Sequence, residues 1–324
     1  GDGHGGDERG RPRPAAGATG APGGSPPPVP VARHATKRTR ERLAAGLARR
    51  GAPGADALEW TSRHASLVVS GWDAVTSEGV NDAGLAAHVL YLEDSEWEAP
   101  DHRPALGNVM WAQWALDTCA TVGEVLASLD SVRIVDAPMR GTSFGMHLAV
   151  EDRHGDAAVV EVLPGGVVVH EGAEARVVTN DPPLEMQLAC LSRYAPFGGA
   201  DALPGDVDPI SRFVRGTYFL DHLPEPADAD EALAGAVSVA RSMSVPFGAP
   251  SEPFGTYPTW WVSATDLTAG RFIFQSTLSP FAVWLDLPDA MARSSAGQPM
   301  AVDPLQPDLA GDIVDRLLPR ELPY

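Results

Sequence analysis

The chain has 324 residues, 44% of them hydrophobic, so it is long enough to bury a sizeable core in one large domain or two ordinary ones. Its charge is unevenly divided: residues 1–50 carry ten basic and four acidic side chains, whereas residues 51–324 carry 14 basic and 39 acidic ones. The acidic body argues against a nucleic-acid-binding surface and against binding to an anionic membrane face.

Cysteine content and hydropathy bear on where the protein is found. Cys119 and Cys190 are the only cysteines, too few for a disulfide framework, which favours a reducing compartment. No apolar run approaches the ~18 residues that cross a bilayer, and the N-terminal sequence lacks the apolar core of a secretory signal. We therefore expect a cytoplasmic protein with no membrane partner.

The first 42 residues have the composition of a low-complexity segment. They contain no Leu, Ile, Met, Phe, Trp, Tyr or Cys, and Gly, Ala, Pro and Arg dominate. Such a segment buries too little apolar surface to offset the entropy lost on ordering, which predicts a disordered basic tail. The globular pattern begins near Leu58. We therefore divide the chain into a tail, residues 1–57, and a domain, residues 58–324.

The predicted elements of the domain change from strands to helices and back to strands. Strands are predicted at 66–70 and 85–92, and helices at 108–120 and 121–129, the second with a capping box formed by Thr121 and Glu124. A strand meander follows at 144–151, 157–163 and 167–170, with a further short strand at 176–179. Helices are then predicted at 183–194, 211–223 and 228–242, and strands at 260–266, 271–276 and 282–286. This order predicts a layered α+β fold rather than alternating βαβ units.

General catalytic motifs are missing from the sequence. There is no phosphate-binding glycine loop and no Gly-x-Ser-x-Gly nucleophile elbow. The nine histidines are scattered, and His147 and His154 lie seven residues apart on a predicted hairpin, a poor spacing for a metal site. These histidines are therefore not expected to bind a metal.

Five stretches, in order, resemble motifs of the choloylglycine hydrolase and penicillin V acylase family. The first three are GVNDAGLA at 79–86, VVTNDPP at 177–183, and LPGD at 203–206 running to SRFVR at 211–215. SMSVPFG at 242–248 and IFQST at 273–277 are similar to the penicillin V acylase branch. The resemblance covers residues 58–287, about two-thirds of the chain. It implies a four-layer αββα sandwich, the N-terminal-nucleophile hydrolase fold, commonly assembled as a homotetramer.

The resemblance also implies a reaction, the hydrolysis of a small linear acyl amide without a cofactor. In this family the nucleophile is a cysteine at the very N-terminus of the mature chain. Its α-amine, with a pKa of roughly 7.7–8.0, can accept the thiol proton near neutral pH. The thiolate then attacks the carbonyl carbon while oriented N–H donors hold the developing oxyanion.

Three residues match the family's catalytic positions. Asn180 matches an asparagine of the oxyanion hole; the alternative is a turn residue ahead of two prolines. Arg212 matches the arginine that lies against the nucleophile; the alternative is a surface arginine on a helix. Tyr91 falls at the second oxyanion contributor; the alternative is a core aromatic residue on a strand. A tyrosine there is typical of penicillin V acylases and directs the expected substrate away from conjugated bile salts.

Aromatic residues near 260 are candidates for substrate binding. Trp260 and Trp261, with Tyr257, could line an apolar acyl pocket, because such pockets have mostly aromatic and apolar walls. Core packing is the favoured alternative for both tryptophans. Val262 stands where the acylase branch has an arginine, so the polarity of the expected substrate is left open.

The nucleophilic half of the family pattern cannot be placed. Residues 1–57 hold no cysteine, and no strand pair is predicted before Leu58. Cys119 and Cys190 fall in predicted helices and are interpreted as buried small hydrophobic residues. Either residues 1–57 represent another reading frame of a G+C-rich gene, which we favour, or the chain is a relic that keeps the fold without turnover. Both interpretations predict an inactive chain whose sandwich lacks its N-terminal strands.

Three functions therefore stand as hypotheses. The first is a linear amide hydrolase acting on phenoxyacetyl amides or N-acyl homoserine lactones, with its nucleophile missing. The second is a non-catalytic protein that binds acyl amides, and the third is a bile salt hydrolase.

Overall fold

The structure is a computed structural model that describes residues 38–42, 48–71, 75–139, 141–251, 255–294 and 298–320. The strands are β1 (Arg38–Arg42), β2 (Ala48–Arg50), β3 (Glu59–Thr61), β4 (Ser66–Gly71), β5 (Val75–Asn81), β6 (Leu85–Tyr91), β7 (Ala105–Gly107), β8 (Arg133–Val135), β9 (Met146–Asp152), β10 (Ala157–Leu163), β11 (Gly166–Glu171), β12 (Pro250–Ser251), β13 (Gly255–Thr256), β14 (Trp261–Asp266), β15 (Arg271–Ser276), β16 (Val283–Asp286), β17 (Met300–Val302), β18 (Gly311–Asp312) and β19 (Leu318–Pro319). The helices are α1 (Trp111–Thr118), α2 (Val122–Ser128), α3 (Leu184–Cys190), α4 (Pro209–Asp221), α5 (Ala229–Ser242) and α6 (Leu287–Arg293). No helix in these ranges is long and apolar enough to cross a membrane.

Two sheets form the middle of the molecule. The larger has nine strands in the order β11-β10-β9-β6-β5-β4-β1-β17-β19, and its neighbouring strands are antiparallel. The smaller has four strands in the order β14-β15-β16-β18. Alternate residues of a strand face opposite sides of its sheet, so each face of the large sheet can bury its own set of apolar side chains.

One face of the large sheet is covered by α1 and α2. Trp111, Ala115 and Leu116 of α1 pack there against side chains of the strands, including Val68 and Leu148. The predicted start of α2 is confirmed. The Thr121 hydroxyl accepts the Glu124 N–H at 3.2 Å, and the Glu124 carboxylate accepts the Ala120 N–H at 2.8 Å.

The opposite face of the large sheet packs against the small sheet. Leu67 and Val69 of β4 share a core with Phe272 and Phe274 of β15. Residues of β15 that point the other way meet α5: Arg271 pairs with Asp230 at 3.5 Å, and Gln275 accepts a hydrogen bond from Arg241. The layers are therefore helix, sheet, sheet and helix, the arrangement expected from the sequence.

A smaller core holds α3 and α4 at the end of the large sheet near β9 and β10. Ala149 and Val159 from these strands pack with Leu184 of α3 and Phe213 of α4. This core places the residues before α3 close to the end of β6, because β6 is paired with β9.

The strand predicted at 176–179 is wrong. Residues 176–179 do not form a strand; a 3₁₀ helix spans Gly172–Arg176, and the Thr179 N–H and hydroxyl are bonded to the Gln187 side chain instead of a neighbouring strand. Two strands, β1 and β2, lie before Leu58, but they do not pair with each other. β2 pairs with β3, and β1 lies in the large sheet between β4 and β17. The division of the chain at residue 57 stays a prediction, with β2 and β3 lying on either side of it.

Candidate active site

The structure brings Asn180, Arg212 and Tyr91 into one cluster. The Asn180 side-chain nitrogen donates to the main-chain carbonyl of Tyr91 at 3.1 Å, and its carbonyl oxygen accepts from Arg212 Nη2 at 2.8 Å. These bonds join three segments that are far apart in the sequence: the end of β6, the loop before α3, and the first turn of α4. A side-chain amide has two N–H donors, and the bond to Tyr91 uses one of them.

Arg212 is held at the start of α4 by the residues that precede this helix. The Asp208 carboxylate caps α4 by accepting the Ser211 N–H at 3.0 Å, and Arg212 Nε donates to the Val207 carbonyl at 3.0 Å. Burial lowers the pKa of the Arg212 guanidinium, but an arginine with no strong base beside it keeps its charge at any physiological pH. The cluster therefore contains a fixed positive charge beside the Asn180 amide.

Tyr91 contributes its main chain to this cluster, and its ring is 44% exposed. The sequence-based alternative of a core aromatic residue is therefore wrong. Burial raises the pKa of the Tyr91 phenol, and the negative charges of Glu93 and Asp181 raise it further. Asp181 also accepts the Glu93 N–H at 2.6 Å, which ties the two loops around Tyr91 together. The phenol consequently stays protonated and neutral at physiological pH.

Trp260 and Trp261 lie in a separate recess at the edge of the small sheet. Its walls are Trp260, Trp261, Phe274, Ser276, Leu278, Pro304 and Leu305. The Trp261 indole N–H donates to the Glu78 carboxylate at 2.6 Å, so this side chain is fixed in orientation while its ring faces apolar neighbours. Both tryptophans are half-buried.

The two cysteines differ in their burial. Cys119 follows α1 with extended backbone, is 3% exposed, and belongs to the core on the α1 side of the large sheet. Burial raises the pKa of its thiol, which disfavours the reactive thiolate. Cys190 is the last residue of α3 and is half-buried. The sequence predicted Cys119 inside a helix, but α1 ends at Thr118, so Cys119 lies just after the helix.

Sequence reasoning missed the residues that support the Asn180 loop. Gln187 of α3 is fully buried and donates to the main-chain carbonyls of Asn180 and Pro182. Glu161 of β10, also fully buried, accepts the Leu184 N–H at 3.0 Å. Polar residues at otherwise buried strand and helix positions are the sequence signal for such supports, but it requires the correct burial pattern in advance.

The potential metal ligands of the described residues are scattered. No group of three or more His, Cys, Asp or Glu side chains there is arranged to hold a metal ion. His147 and His154, singled out in the sequence, do not share a partner; His147 lies 3.2 Å from Glu161, whereas the His154 N–H is bonded to Asp152.

Comparison with known proteins gives consistent matches. A model of the choloylglycine hydrolase family, linear amide C–N hydrolases, matches residues 68–291. Penicillin V acylase of Pectobacterium atrosepticum is 34% identical over 267 residues, which cover 74% of this chain and 71% of that protein.

Two solved structures share the fold over most of their length. Penicillin V acylase from Agrobacterium tumefaciens superposes with a TM-score of 0.79 and 31% identity, covering 89% of this chain and 91% of that chain. A variant of conjugated bile acid hydrolase from Clostridium perfringens gives a TM-score of 0.67 at 18% identity, covering 85% and 91%. The four-layer sandwich expected from the sequence resemblance is thereby confirmed.

Proposed function

Because the chain belongs to the choloylglycine hydrolase family of linear amide C–N hydrolases, we propose that its site is built to cleave small acyl amides of the penicillin V type. Phenoxyacetyl amides and N-acyl homoserine lactones are the proposed substrates. The similarity to two penicillin V acylases, at 34% and 31% identity, favours this branch.

The observation that carries the proposal is the fixed orientation of the Asn180 side chain. Its carbonyl oxygen is turned to Arg212 and its nitrogen to the Tyr91 carbonyl, so the second N–H is available to an oxyanion. Donors held in place before the reaction stabilise the negative charge of a tetrahedral intermediate without further reorganisation. In this proposal Asn180 donates to the oxyanion, while Arg212 holds the amide and supplies positive charge.

We further propose that the described residues supply only this half of the site. Neither Cys119, which is buried with a raised thiol pKa, nor Cys190, at the end of α3, has the setting of a nucleophile. The cysteine required by the family mechanism must then come from outside these residues. The 324-residue polypeptide is therefore expected to bind a phenoxyacetyl amide without hydrolysing it.

Restoring a nucleophile tests the proposal directly. Residues 1–57 would be replaced by the corresponding segment of the Pectobacterium acylase, made with a cysteine as its first residue, and release of phenoxyacetic acid from penicillin V would be measured. We expect no release by the parent chain and hydrolysis by the chimera. Asn180→Ala in the chimera should lower kcat by about 10²–10³-fold, the cost of removing one oxyanion donor.

Two controls separate the outcomes of this experiment. A chimera with serine at the grafted cysteine should bind substrate and not turn it over. Full activity of the Asn180→Ala chimera would reject the assigned oxyanion role, and hydrolysis of penicillin V by the parent chain would reject the missing nucleophile.

The alternative of a binding protein without turnover rests on the apolar recess at Trp260 and Trp261. It predicts the same calorimetric binding of phenoxyacetamide by the parent chain but an inactive chimera. A bile salt hydrolase predicts release of glycine or taurine from conjugated bile salts by the chimera, with no preference for penicillin V. A homotetramer and a cytoplasmic location also remain proposals; light scattering tests the first.

A further inference from the structure

The loop that carries Asn180 is fastened to α3 by a single side chain, Gln187. Gln187 Nε2 donates to the main-chain carbonyls of Asn180 at 2.9 Å and Pro182 at 2.7 Å. Its Oε1 accepts the Thr179 hydroxyl at 2.8 Å and the Thr179 N–H at 3.3 Å. A primary amide offers two donors and two acceptor lone pairs. The whole hydrogen-bonding capacity of Gln187 is therefore used on residues 179–182.

Thr179 extends this connection to the helix of Arg212. Its side chain is 1% exposed, and its hydroxyl lies 3.0 Å from the Pro209 carbonyl as well as 2.8 Å from Gln187 Oε1. The single hydroxyl proton is shared between these two acceptors. Pro209 is the first residue of α4, and Arg212 follows three residues later in the same helical turn.

We propose that Thr179 and Gln187 form a positioning clamp for the amidase site, setting the Asn180 loop against the start of the α4 helix. This inference rests on the proposed function, because positioning has a catalytic meaning only if Asn180 and Arg212 act on substrate. The clamp touches neither substrate nor nucleophile. It acts through the 2.8 Å bond between Arg212 and Asn180.

The chemistry of the clamp is suited to specifying geometry rather than adding stability. Two buried apolar side chains of similar shape can replace a hydrogen-bonded pair with little net change in stability. A buried polar network with all groups paired, by contrast, selects one arrangement, since any shift leaves a donor or acceptor unsatisfied. Five hydrogen bonds here link the two side chains to each other, to three main-chain groups of the loop and to the first carbonyl of α4.

The test uses the full chain and a signal that belongs to Asn180 alone. The sequence contains only three asparagines, Asn81, Asn108 and Asn180, so ¹⁵N-asparagine labelling gives three side-chain amide signals. Asn180→Asp identifies the Asn180 signal by its disappearance. In Thr179→Val, which keeps the shape and removes the hydroxyl, we expect this signal to move. Its hydrogen exchange should accelerate about fivefold, the factor for one net hydrogen bond of ~1 kcal/mol.

The chain provides a matched control on the other side of the large sheet. The Thr76 hydroxyl donates to Gln113 Oε1 at 2.7 Å, also fully buried, but this pair is attached to α1 and not to the Asn180 loop. Thr76→Val should therefore leave the Asn180 signal unchanged. Thr179→Ser, which restores a hydroxyl, should return the Asn180 signal towards its wild-type position.

The possible results test the clamp and the proposed function separately. The clamp is overturned if the Asn180 signal does not move in Thr179→Val, if Thr76→Val moves it equally, or if Thr179→Ser moves it as far as Thr179→Val does. A selective shift with unchanged Asn81 and Asn108 signals supports it and shows that the fold is intact. Absence of phenoxyacetamide binding by the parent protein in calorimetry overturns the proposed function instead, because that measurement does not involve the asparagine signals.

Discussion

Two carboxylates on opposite sides of the large sheet have opposite pKa shifts, although each accepts a tryptophan N–H. Asp117 of α1 accepts from Trp60 Nε1 at 3.0 Å and pairs with Arg49 at 2.6 Å. Its burial raises its pKa more than the Arg49 charge and its donors lower it. Glu78 of β5 accepts from Trp261 Nε1 at 2.6 Å, between the two sheets.

The second site differs because it contains a histidine with two acidic neighbours. His88 lies 3.4 Å from Glu78 and 3.1 Å from Glu151. Burial opposes ionisation of both Glu78 and His88, but the attraction between them and Glu151 outweighs it. The pKa of Glu78 is lowered and that of His88 is raised to about 10. The single charge partner of the fully enclosed Asp117 is thus insufficient to lower the pKa of its carboxyl group. Mutual attraction among Glu78, His88 and Glu151 does outweigh burial, at a place where the His88 side chain is 29% exposed.

The largest expected effect on stability comes from breaking the buried ion pair between Arg49 and Asp117. Arg49→Met leaves the Asp117 charge buried and unpaired, which should reduce the free energy of unfolding by about 3–5 kcal/mol. Urea denaturation measures this change. The matched control is Arg50→Met, since Arg50 pairs with Glu59 on the surface, and exposed pairs contribute ~1 kcal/mol or less. Equal losses in both variants would show that β2 does not hold Arg49 against Asp117.

The second effect concerns His88. His88→Gln removes the positive charge between Glu78 and Glu151 and should cost about 1–3 kcal/mol at pH 6, allowing for partial exposure. A histidine whose folded pKa is raised contributes stability that is complete below its unfolded pKa of 6.5. That contribution is lost as the pH rises to about 10. The melting temperatures of wild type and variant should therefore converge over this range, and a constant difference would contradict the charged state of His88.

A third effect separates the two carboxylates by the sign of their pH dependence. The lowered pKa of Glu78 means that wild type gains stability over Glu78→Gln as the pH rises towards 4.5 and above. The raised pKa of Asp117 means that wild type loses stability relative to Asp117→Asn as the pH rises above 3.8. Thermal unfolding between pH 3 and 6 measures both, and slopes of the same sign would disprove the comparison.

The smallest effect tests the tryptophan donors. Trp261→Phe removes one hydrogen bond from Glu78 and should cost ~1 kcal/mol. Trp60→Phe should cost less, because Asp117 keeps three donors, Arg49, Ser62 and Gln113. Glu78 keeps only Ser263 and His88 among the described residues. Chemical denaturation of the two variants side by side ranks them, and a larger loss for Trp60→Phe would reverse the argument.

The sequence predicts regular elements well where a local pattern is sufficient. The strand at 271–276 and the Thr121 cap agree with the structure because alternation and capping are properties of neighbouring residues. The false strand at 176–179 arose because its apolar residues favour β structure, while Thr179 is bonded to Gln187 eight residues away. Local patterns contain no information about such contacts.

The sequence allowed the members of the candidate site to be proposed, but not the residues that support them. Asn180 and Arg212 stood out through motifs resembling a family, and the structure places them 2.8 Å apart. Arg49 lies in a segment composed mostly of charged and small residues. Nothing in that segment indicated a buried partner 68 residues later in the chain. An isolated arginine gives no local sign that its guanidinium is enclosed.

The position of β1 in the large sheet has a consequence for how the chain folds during synthesis. β1 pairs with β4 on one side and with β17 on the other, as Thr39 lies opposite both Val69 and Val302. The strands β4-β5-β6 and β9-β10-β11 pair with their neighbours in the chain and can form hairpins while translation continues. The pairing of β1 with β17, in contrast, must wait until residue 302 has left the ribosome. Such long-range pairing is slow to form, so a partly open sheet edge, exposed to chaperones and to aggregation, accompanies the nascent chain until its last strands arrive.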